Sequence, residues 1–106
     1  MERKVGIIGL GLIGGSMAID LKRRGFAQEI VGVDADPVNA AAAVKIGLVD
    51  KTLPFEECVE ECDVVIIAVP VGAAVRLLPR VLDCFEKSDD KNKVGVIVGN
   101  YLIGEG

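Results

Sequence analysis

The feature that most constrains the fold of this chain is a run of fifteen uncharged residues, Val5 to Ile19, in which five residues are glycine. Each glycine costs a helix interior about 1 kcal/mol relative to alanine, so the run does not predict one continuous apolar helix. It is also shorter than the roughly 20 apolar residues that span a bilayer. We find no convincing small-residue cleavage site after it, so neither an export signal nor a membrane span is expected.

The run instead divides into a strand, a turn and a helix. The segment Lys4–Ile8 (KVGII) is short, rich in β-branched residues and followed by glycine, which is typical of a buried parallel strand. From Ile13 the residues predict a helix that ends at Gly25. A strand, a tight turn and a helix in this order are the first part of a βαβ unit.

The turn between strand and helix is GLGLIG, in which Gly9, Gly11 and Gly14 follow the order G-x-G-x-x-G. In such a unit the first glycine allows the tight turn, and the second lets the backbone approach a pyrophosphate. The third lets the helix pack closely on the strand. The helix N-terminus then presents unpaired N–H groups and a positive dipole end to the phosphates. A plain packing turn can show the same pattern, so its surroundings must decide.

The surroundings favour a dinucleotide. A second buried strand, Ile30–Val33, ends at Asp34, which follows Gly9 by 25 residues, close to the spacing of a ribose-binding acid. A carboxylate there can accept hydrogen bonds from both ribose hydroxyls and would repel a 2′-phosphate, which favours NAD over NADP. Asp36 before Pro37 has a local explanation as a helix N-cap followed by proline at the first helical position, so we predict a structural role for it.

The rest of the chain repeats the alternation of strand and helix. Helices are predicted at Pro37–Ile46, Phe55–Cys62 and Gly72–Lys87, a weak strand or loop at Leu48–Leu53, and strands at Val64–Val69 and Lys93–Gly99. Pro79 lies inside the last helix, so we expect a kink or two short helices there. The alternation predicts a single α/β domain with a right-handed, doubly wound parallel sheet of Rossmann type, in the strand order 3-2-1-4-5. We expect this sheet to be incomplete.

Composition narrows the classes of function. The net charge of −4 and the pI of about 4.8 disfavour contact with nucleic acid or anionic lipid. The chain contains no histidine, the commonest general base near neutral pH and the commonest metal ligand. Any chemistry must therefore come from a cofactor, a carboxylate or a thiol.

The three cysteines do not predict a metal site. Cys58 and Cys62 share the apolar face of a predicted helix, and with Cys84 they still fall short of the four ligands of a structural zinc site. We expect Cys58 and Cys62 to be small buried side chains. An odd number of cysteines also fits a reducing cytosol better than a disulfide framework, so we expect a cytoplasmic protein.

Three motifs together resemble the cofactor domain of bacterial prephenate dehydrogenases, the enzymes of tyrosine biosynthesis. They are VGIIGLGLIGGSMAIDLKRRGF, VGVDADP and DVVIIAVPV. The details GLGLIGGS, D-x-D-P after the second strand and A-V-P-V after the fourth are much narrower than a bare glycine pattern. The resemblance covers residues 4–98, approximately.

The resemblance implies a site for NAD. The glycine turn would bind the pyrophosphate, Asp34 the adenosine ribose, and the turn after the fourth strand would border the nicotinamide side of the crevice, at the topological switch point. The predicted cofactor-binding residues are Gly9, Gly11, Leu12, Ile13, Gly14, Asp34, Ala68, Val69, Pro70 and Val71. No catalytic residue and no metal ligand is predicted within the chain.

The resemblance also implies a reaction, the oxidative decarboxylation of prephenate to 4-hydroxyphenylpyruvate with hydride transfer to NAD. Members of the family use a histidine for the hydroxyl proton and an arginine for a substrate carboxylate. Both lie beyond the matched segment, together with a largely helical dimerisation domain. Because this chain has no histidine, we expect residues 1–106 to be the dinucleotide-binding domain without that helical domain. It would be inactive alone and would bind prephenate only with the rest of the enzyme.

The last residues depart from the family pattern, with Asn100 near the position of an aspartate and Ile103 near that of a serine. A piece of a longer enzyme, a truncated or frame-altered product and a free-standing module all stay open. So do two other functions, a non-catalytic NAD-binding protein and the cofactor domain of another hydride-transfer dehydrogenase. Prephenate and arogenate both stay open as substrates. An apolar final strand without a covering helix leads us to expect self-association.

Overall fold

The computed structural model describes residues 3–88 and 93–97 of the chain, where strands and helices alternate. The strands are β1 (Lys4–Ile8), β2 (Glu29–Val33), β3 (Lys51–Thr52), β4 (Val64–Ile67) and β5 (Val94–Ile97). The helices are α1 (Leu12–Arg23), α2 (Pro37–Lys45), α3 (Phe55–Glu61) and α4 (Val71–Lys87). None of these four helices is both long enough and apolar enough to cross a membrane.

The five strands form one sheet in the order β3-β2-β1-β4-β5, and every pair is parallel. This confirms the predicted fold class and strand order. The central strand β1 pairs with β2 on one side and with β4 on the other. Because the strands are parallel, their carboxyl ends lie at one edge of the sheet, and the turns that leave β1, β2 and β4 are neighbours there.

The sheet is covered on both faces, which explains why its strands are apolar without alternation. Side chains that are adjacent along β1 enter different cores, because successive residues of a strand point to opposite faces. Ile7 packs in one core with Ala18 of α1, and α2 contributes to the same core. Ile8 packs in the other core with Val59 of α3 and Val81 of α4. Val94 on the edge strand β5 is 51% exposed, and self-association through this edge stays a prediction.

Two expectations about element boundaries need correction. Of the two alternatives at Pro79, two short helices is wrong, because α4 runs as one element through the proline, and a kink there stays a prediction. The carbonyl that loses its hydrogen-bond partner to the proline is that of Val75, and both residues are exposed. The strand β4 ends at Ile67, two residues before the predicted end, because Pro70 cannot continue the ladder and α4 begins directly after it. The predicted end of the fifth strand, residues 98–99, lies outside the described residues.

The cysteines of α3 lie directly over β1. Cys58 and Cys62 are fully buried, with their Sγ atoms 3.9 Å apart. A Cβ on Gly6 of β1 would lie 2.5 Å from Cys58 Sγ and 3.1 Å from Cys62 Sγ. The contact with Cys58, together with burial, raises the pKa of Cys62, which keeps this thiol neutral. The predicted role as small buried side chains is therefore confirmed. Within residues 3–88 and 93–97, no group of three His, Cys, Asp or Glu side chains could hold a metal ion.

We predict that Gly6→Ala lowers the free energy of unfolding by about 1–3 kcal/mol, because the new methyl group overlaps the Cys58 sulfur. Urea denaturation measures this change. Gly95→Ala on β5 is the control, because the nearest side-chain atom to its Cβ would be Phe85 Cε2 at 3.4 Å. Adding Cys58→Ala to Gly6→Ala should recover part of the loss in a double-mutant cycle. Strictly additive effects would contradict the contact.

The C-terminus of α3 is capped by a lysine that is distant in sequence. The Nζ atom of Lys93 donates hydrogen bonds to the carbonyl oxygens of Cys62 at 2.7 Å, Glu60 at 2.8 Å and Val59 at 3.3 Å. A cation at this end of a helix also complements the helix dipole. Because Lys93 directly precedes β5, this cap ties the edge strand to α3.

We predict that Lys93→Met lowers the free energy of unfolding by about 1–2 kcal/mol, because three carbonyl groups lose a charged donor. The matched control is Lys87→Met. Lys87 makes an exposed i,i+4 ion pair with Asp83 at 3.1 Å, and pairs of this kind contribute about 0.5 kcal/mol or less. Chemical denaturation of both variants measures the difference. Equal losses in the two variants would show that the cap contributes nothing specific.

Candidate functional site

The turn that follows β1 is held between the ends of the two neighbouring strands. The N–H of Gly9 donates a hydrogen bond of 2.7 Å to the carbonyl oxygen of Val33, the last residue of β2. On the other side, the N–H of Ala68 donates a hydrogen bond of 2.8 Å to the carbonyl oxygen of Ile8. The ends of β2, β1 and β4 are therefore joined by direct backbone contacts at the carboxyl edge of the sheet.

Two of the three glycines of the turn are required by this packing. Gly9 has a φ of +100°, and a Cβ there would lie 2.6 Å both from the carbonyl oxygen of Ala68 and from Cγ1 of Val69. A Cβ on Gly14 would overlap the carbonyl oxygen of Gly9. The first and third glycines thus have the structural tasks that their spacing predicts, a tight turn and a close approach of helix to strand.

The second glycine has no such explanation. Gly11 is exposed and extended, with φ −76° and ψ −160°, and a Cβ there would meet no atom within 4 Å. Gly11 is the N-cap of α1, and because it has no side chain it cannot cap the N–H groups of the first turn. These groups, at the positive end of the helix dipole, are available to an anion. The backbone here is accessible to a ligand in the way that a pyrophosphate site requires.

The carboxylate of Asp34 lies against the same turn. Its Oδ2 accepts a hydrogen bond of 2.8 Å from the N–H of Leu10, and its Oδ1 accepts one of 2.9 Å from the N–H of Asp36. The side chain of Asp36 is instead the N-cap of α2, where its Oδ1 accepts a hydrogen bond of 2.9 Å from the N–H of Val38. The predicted structural role of Asp36 is confirmed, and the candidate ribose-binding acid is placed beside the glycine turn.

The turn after β4 forms the other side of the site. Ala68 and Val69 are half-buried and lie against Gly9, as the clash distances above show. Pro70 is exposed and is the N-cap of α4, where its carbonyl oxygen accepts hydrogen bonds of 2.9 Å from Ala73 and Ala74. The backbones of Leu12 and Ile13 belong to the first turn of α1, and that of Val71 begins α4. The side chains of these three residues lie outside the described part of the chain.

Sequence reasoning missed two residues that position the turn. Leu10 is 7% exposed, and its side chain packs on Gly32 of β2, where a Cβ would lie 2.7 Å from Leu10 Cδ1. A glycine inside a strand signals a close approach of another group, and Gly32 in VGVD is such a signal. Leu10 occupies a variable position of the G-x-G-x-x-G pattern, which assigns it no task.

We predict that Gly9→Ala and Gly11→Ala differ in their effect on the free energy of unfolding, because the fold requires a glycine only at the first position. Gly9→Ala should lower the free energy of unfolding by about 2–3 kcal/mol, because it adds a clash to an unfavourable φ. Gly11→Ala should change it by less than about 1 kcal/mol, because the methyl group enters open space. Urea denaturation measures both. A large loss for Gly11→Ala would mean that the fold, not a ligand, requires this glycine.

The parallel sheet in the order 3-2-1-4-5, with a glycine turn after β1 and an acid after β2 at the same edge, defines a doubly wound domain of the nucleotide-binding class. The family model described as "Prephenate dehydrogenase, nucleotide-binding domain" matches residues 17–89, more than half of the chain. The chain belongs to the prephenate dehydrogenase family. The matched range includes Asp34 and the turn after β4, and it begins after the glycine turn.

A curated relative, prephenate dehydrogenase of Lactococcus lactis subsp. cremoris, is 37% identical over 79 residues. The match covers 74% of this chain and 22% of the relative. The chain therefore spans about a fifth of the length of the curated relative.

Two solved structures share the fold. Prephenate dehydrogenase from A. aeolicus, in complex with hydroxyphenyl propionate and NAD+, superimposes with a TM-score of 0.74 at 27% identity, covering 94% of this chain and 34% of that one. Arogenate dehydrogenase of Synechocystis has a TM-score of 0.71 at 28% identity, covering 92% and 33%. The nucleotide-binding family and the NAD+ in the A. aeolicus structure support the sequence-based prediction of NAD as the cofactor.

Proposed function

We propose that this chain is the NAD-binding part of a prephenate dehydrogenase. The observation that carries the proposal is the open space at Gly11. The glycine lies at the N-terminus of α1, in the same turn as the Leu10 N–H that the Asp34 carboxylate binds. Nothing in the packing of the described residues demands a glycine there, whereas a pyrophosphate approaching the backbone does.

The residues of the site fit NAD in three parts. The pyrophosphate would lie over Gly11 and accept hydrogen bonds from the N–H groups of the first turn of α1, in the segment Leu12–Gly14. The adenosine ribose would lie at Asp34, at the end of β2. The nicotinamide would lie towards the turn Ala68–Val71, across the switch point between β1 and β4.

The chemistry of Asp34 supports NAD rather than NADP. Each carboxylate oxygen has two lone pairs and accepts one hydrogen bond from the backbone, so each keeps a lone pair for a ribose hydroxyl. A 2′-phosphate would bring negative charge against this carboxylate. Ala35 and Asp36, the two residues that follow Asp34 in sequence, offer no cation to compensate.

When bound, NAD supplies the hydride acceptor for the oxidative decarboxylation of prephenate to 4-hydroxyphenylpyruvate, a step of tyrosine biosynthesis. This chain would bind and orient the dinucleotide. Because the sequence contains no histidine, the group that takes the hydroxyl proton would come from a further, largely helical domain. Three free cysteines support a reducing, cytoplasmic location for the enzyme.

We predict that the wild-type chain binds NAD in preference to NADP, and that Asp34→Ala weakens NAD binding by about tenfold, because the ribose loses a charged acceptor. The same substitution should relax the discrimination against NADP. Isothermal titration calorimetry of the wild type and of Asp34→Ala with each dinucleotide measures both effects. Gly11→Ala, which should fold normally, is expected to lose NAD binding.

Two results would contradict the proposal. One is the absence of NAD binding to wild-type chain shown by circular dichroism to be folded. The other is an equal loss of NAD and NADP affinity in Asp34→Ala, which would remove the ribose role. The alternative of a non-catalytic NAD-binding protein predicts the same binding. An assay of the full-length gene product with prephenate and NAD distinguishes it, because only the enzyme forms NADH.

A further inference from the structure

Both oxygens of the Asp34 carboxylate are already engaged by the backbone of the free chain. Oδ2 accepts the N–H of Leu10 at 2.8 Å, and Oδ1 accepts the N–H of Asp36 at 2.9 Å. Leu10 lies between Gly9 and Gly11, so the first of these bonds reaches into the middle of the glycine turn. The carboxylate thus binds the glycine turn as well as the N-cap residue of α2.

The contact with Leu10 completes the attachment of the turn to β2. Gly9 is fixed by its hydrogen bond to the carbonyl oxygen of Val33, and the Leu10 side chain is fixed against Gly32. The Leu10 N–H donates from the turn to Asp34, and among the described residues it has no other acceptor. Without the carboxylate, a part-buried donor would lose its partner, and the Gly9–Leu10 peptide, one residue before Gly11, would be free to reorient.

We propose that Asp34 is a positioning residue for the glycine turn, in addition to the ribose role on which the proposed function relies. Asp34 holds the Gly9–Leu10 peptide in place before any dinucleotide binds, so that the turn leads into α1 with its N–H groups oriented for a pyrophosphate. A carboxylate is required because both of its partners are donors. An asparagine would have to turn its NH2 group towards either Leu10 N–H or Asp36 N–H.

The first test is amide hydrogen exchange of the free chain, measured by NMR on the wild type, Asp34→Ala, Asp34→Asn and Asp36→Asn. Asp34→Ala should lower the protection of the Leu10 amide by about tenfold or more, the change expected on loss of one hydrogen bond to a charged acceptor. Asp34→Asn should lower protection at Leu10 or at Asp36. Asp36→Asn removes the same charge but keeps an N-cap oxygen for Val38, so the Leu10 amide should stay protected.

The second test uses 2′,3′-dideoxyadenosine diphosphate, which has a pyrophosphate but neither ribose hydroxyl. If Asp34 positions the turn, Asp34→Ala should bind this probe about tenfold more weakly than the wild type does. If Asp34 acts on the hydroxyls alone, the variant should bind it equally well, or more tightly because a negative charge has been removed. Asp36→Asn, which removes one charge nearby, controls for that electrostatic gain. Calorimetry or NMR titration supplies the affinities.

The outcomes separate the two proposals. Unchanged exchange of the Leu10 amide in Asp34→Ala would overturn the positioning role, whatever the chain binds. Equal affinity of wild type and Asp34→Ala for the dideoxy probe would also overturn it. A wild-type chain that binds neither NAD nor the probe would instead contradict the proposed function. Loss of Leu10 protection in that chain would still support the positioning role, since exchange is measured without ligand.

Discussion

Pairing of the central strand β1 with two parallel neighbours is the constraint on which the rest of the structure depends. The pairs with β2 and β4 place the end of β1 between two other carboxyl ends, so the turn after it has neighbours on both sides. The same central position places Gly6 directly under the two buried cysteines of α3. A larger residue at Gly6 would move α3 away from the sheet, and with it the Lys93 cap that links α3 to β5.

The topology could be predicted from the sequence because it depends on the order of elements. Apolar segments without alternation indicate strands covered on both faces, and the helices between them require parallel connections. The ends of the elements depend on single contacts, which a pattern does not contain. The strand β4 ends at Ile67, shortly before Pro70, which is the N-cap of α4. The helix α4 tolerates Pro79 because that residue faces solvent. The lysine cap on α3 joins residues about thirty positions apart, and no local signal marks it.

The candidate site was predictable in its residue types and less so in its contacts. The spacing of Gly9, Gly11 and Gly14 identifies the turn, but it does not reveal which glycine the fold requires. The structure separates them, because a Cβ on Gly9 or Gly14 would collide with backbone whereas one on Gly11 would not. The spacing likewise identifies Asp34 as an acid at the end of β2. Its bond to the Leu10 N–H depends on the conformation of the turn and could not be found from spacing.

Packing and backbone angles do not explain why two of the described positions are glycine. Among the glycines of the described residues, Gly9, Gly25 and Gly47 have positive φ angles, and others lie against neighbouring atoms. Gly11 and Gly72 have neither a positive φ nor any atom within 4 Å of a Cβ, although each costs conformational entropy that alanine would not. One precedes α1 after β1, and the other lies in the first turn of α4 after β4. Because β1 and β4 are neighbours in the parallel sheet, both glycines lie near the edge at which the doubly wound fold class binds its ligands.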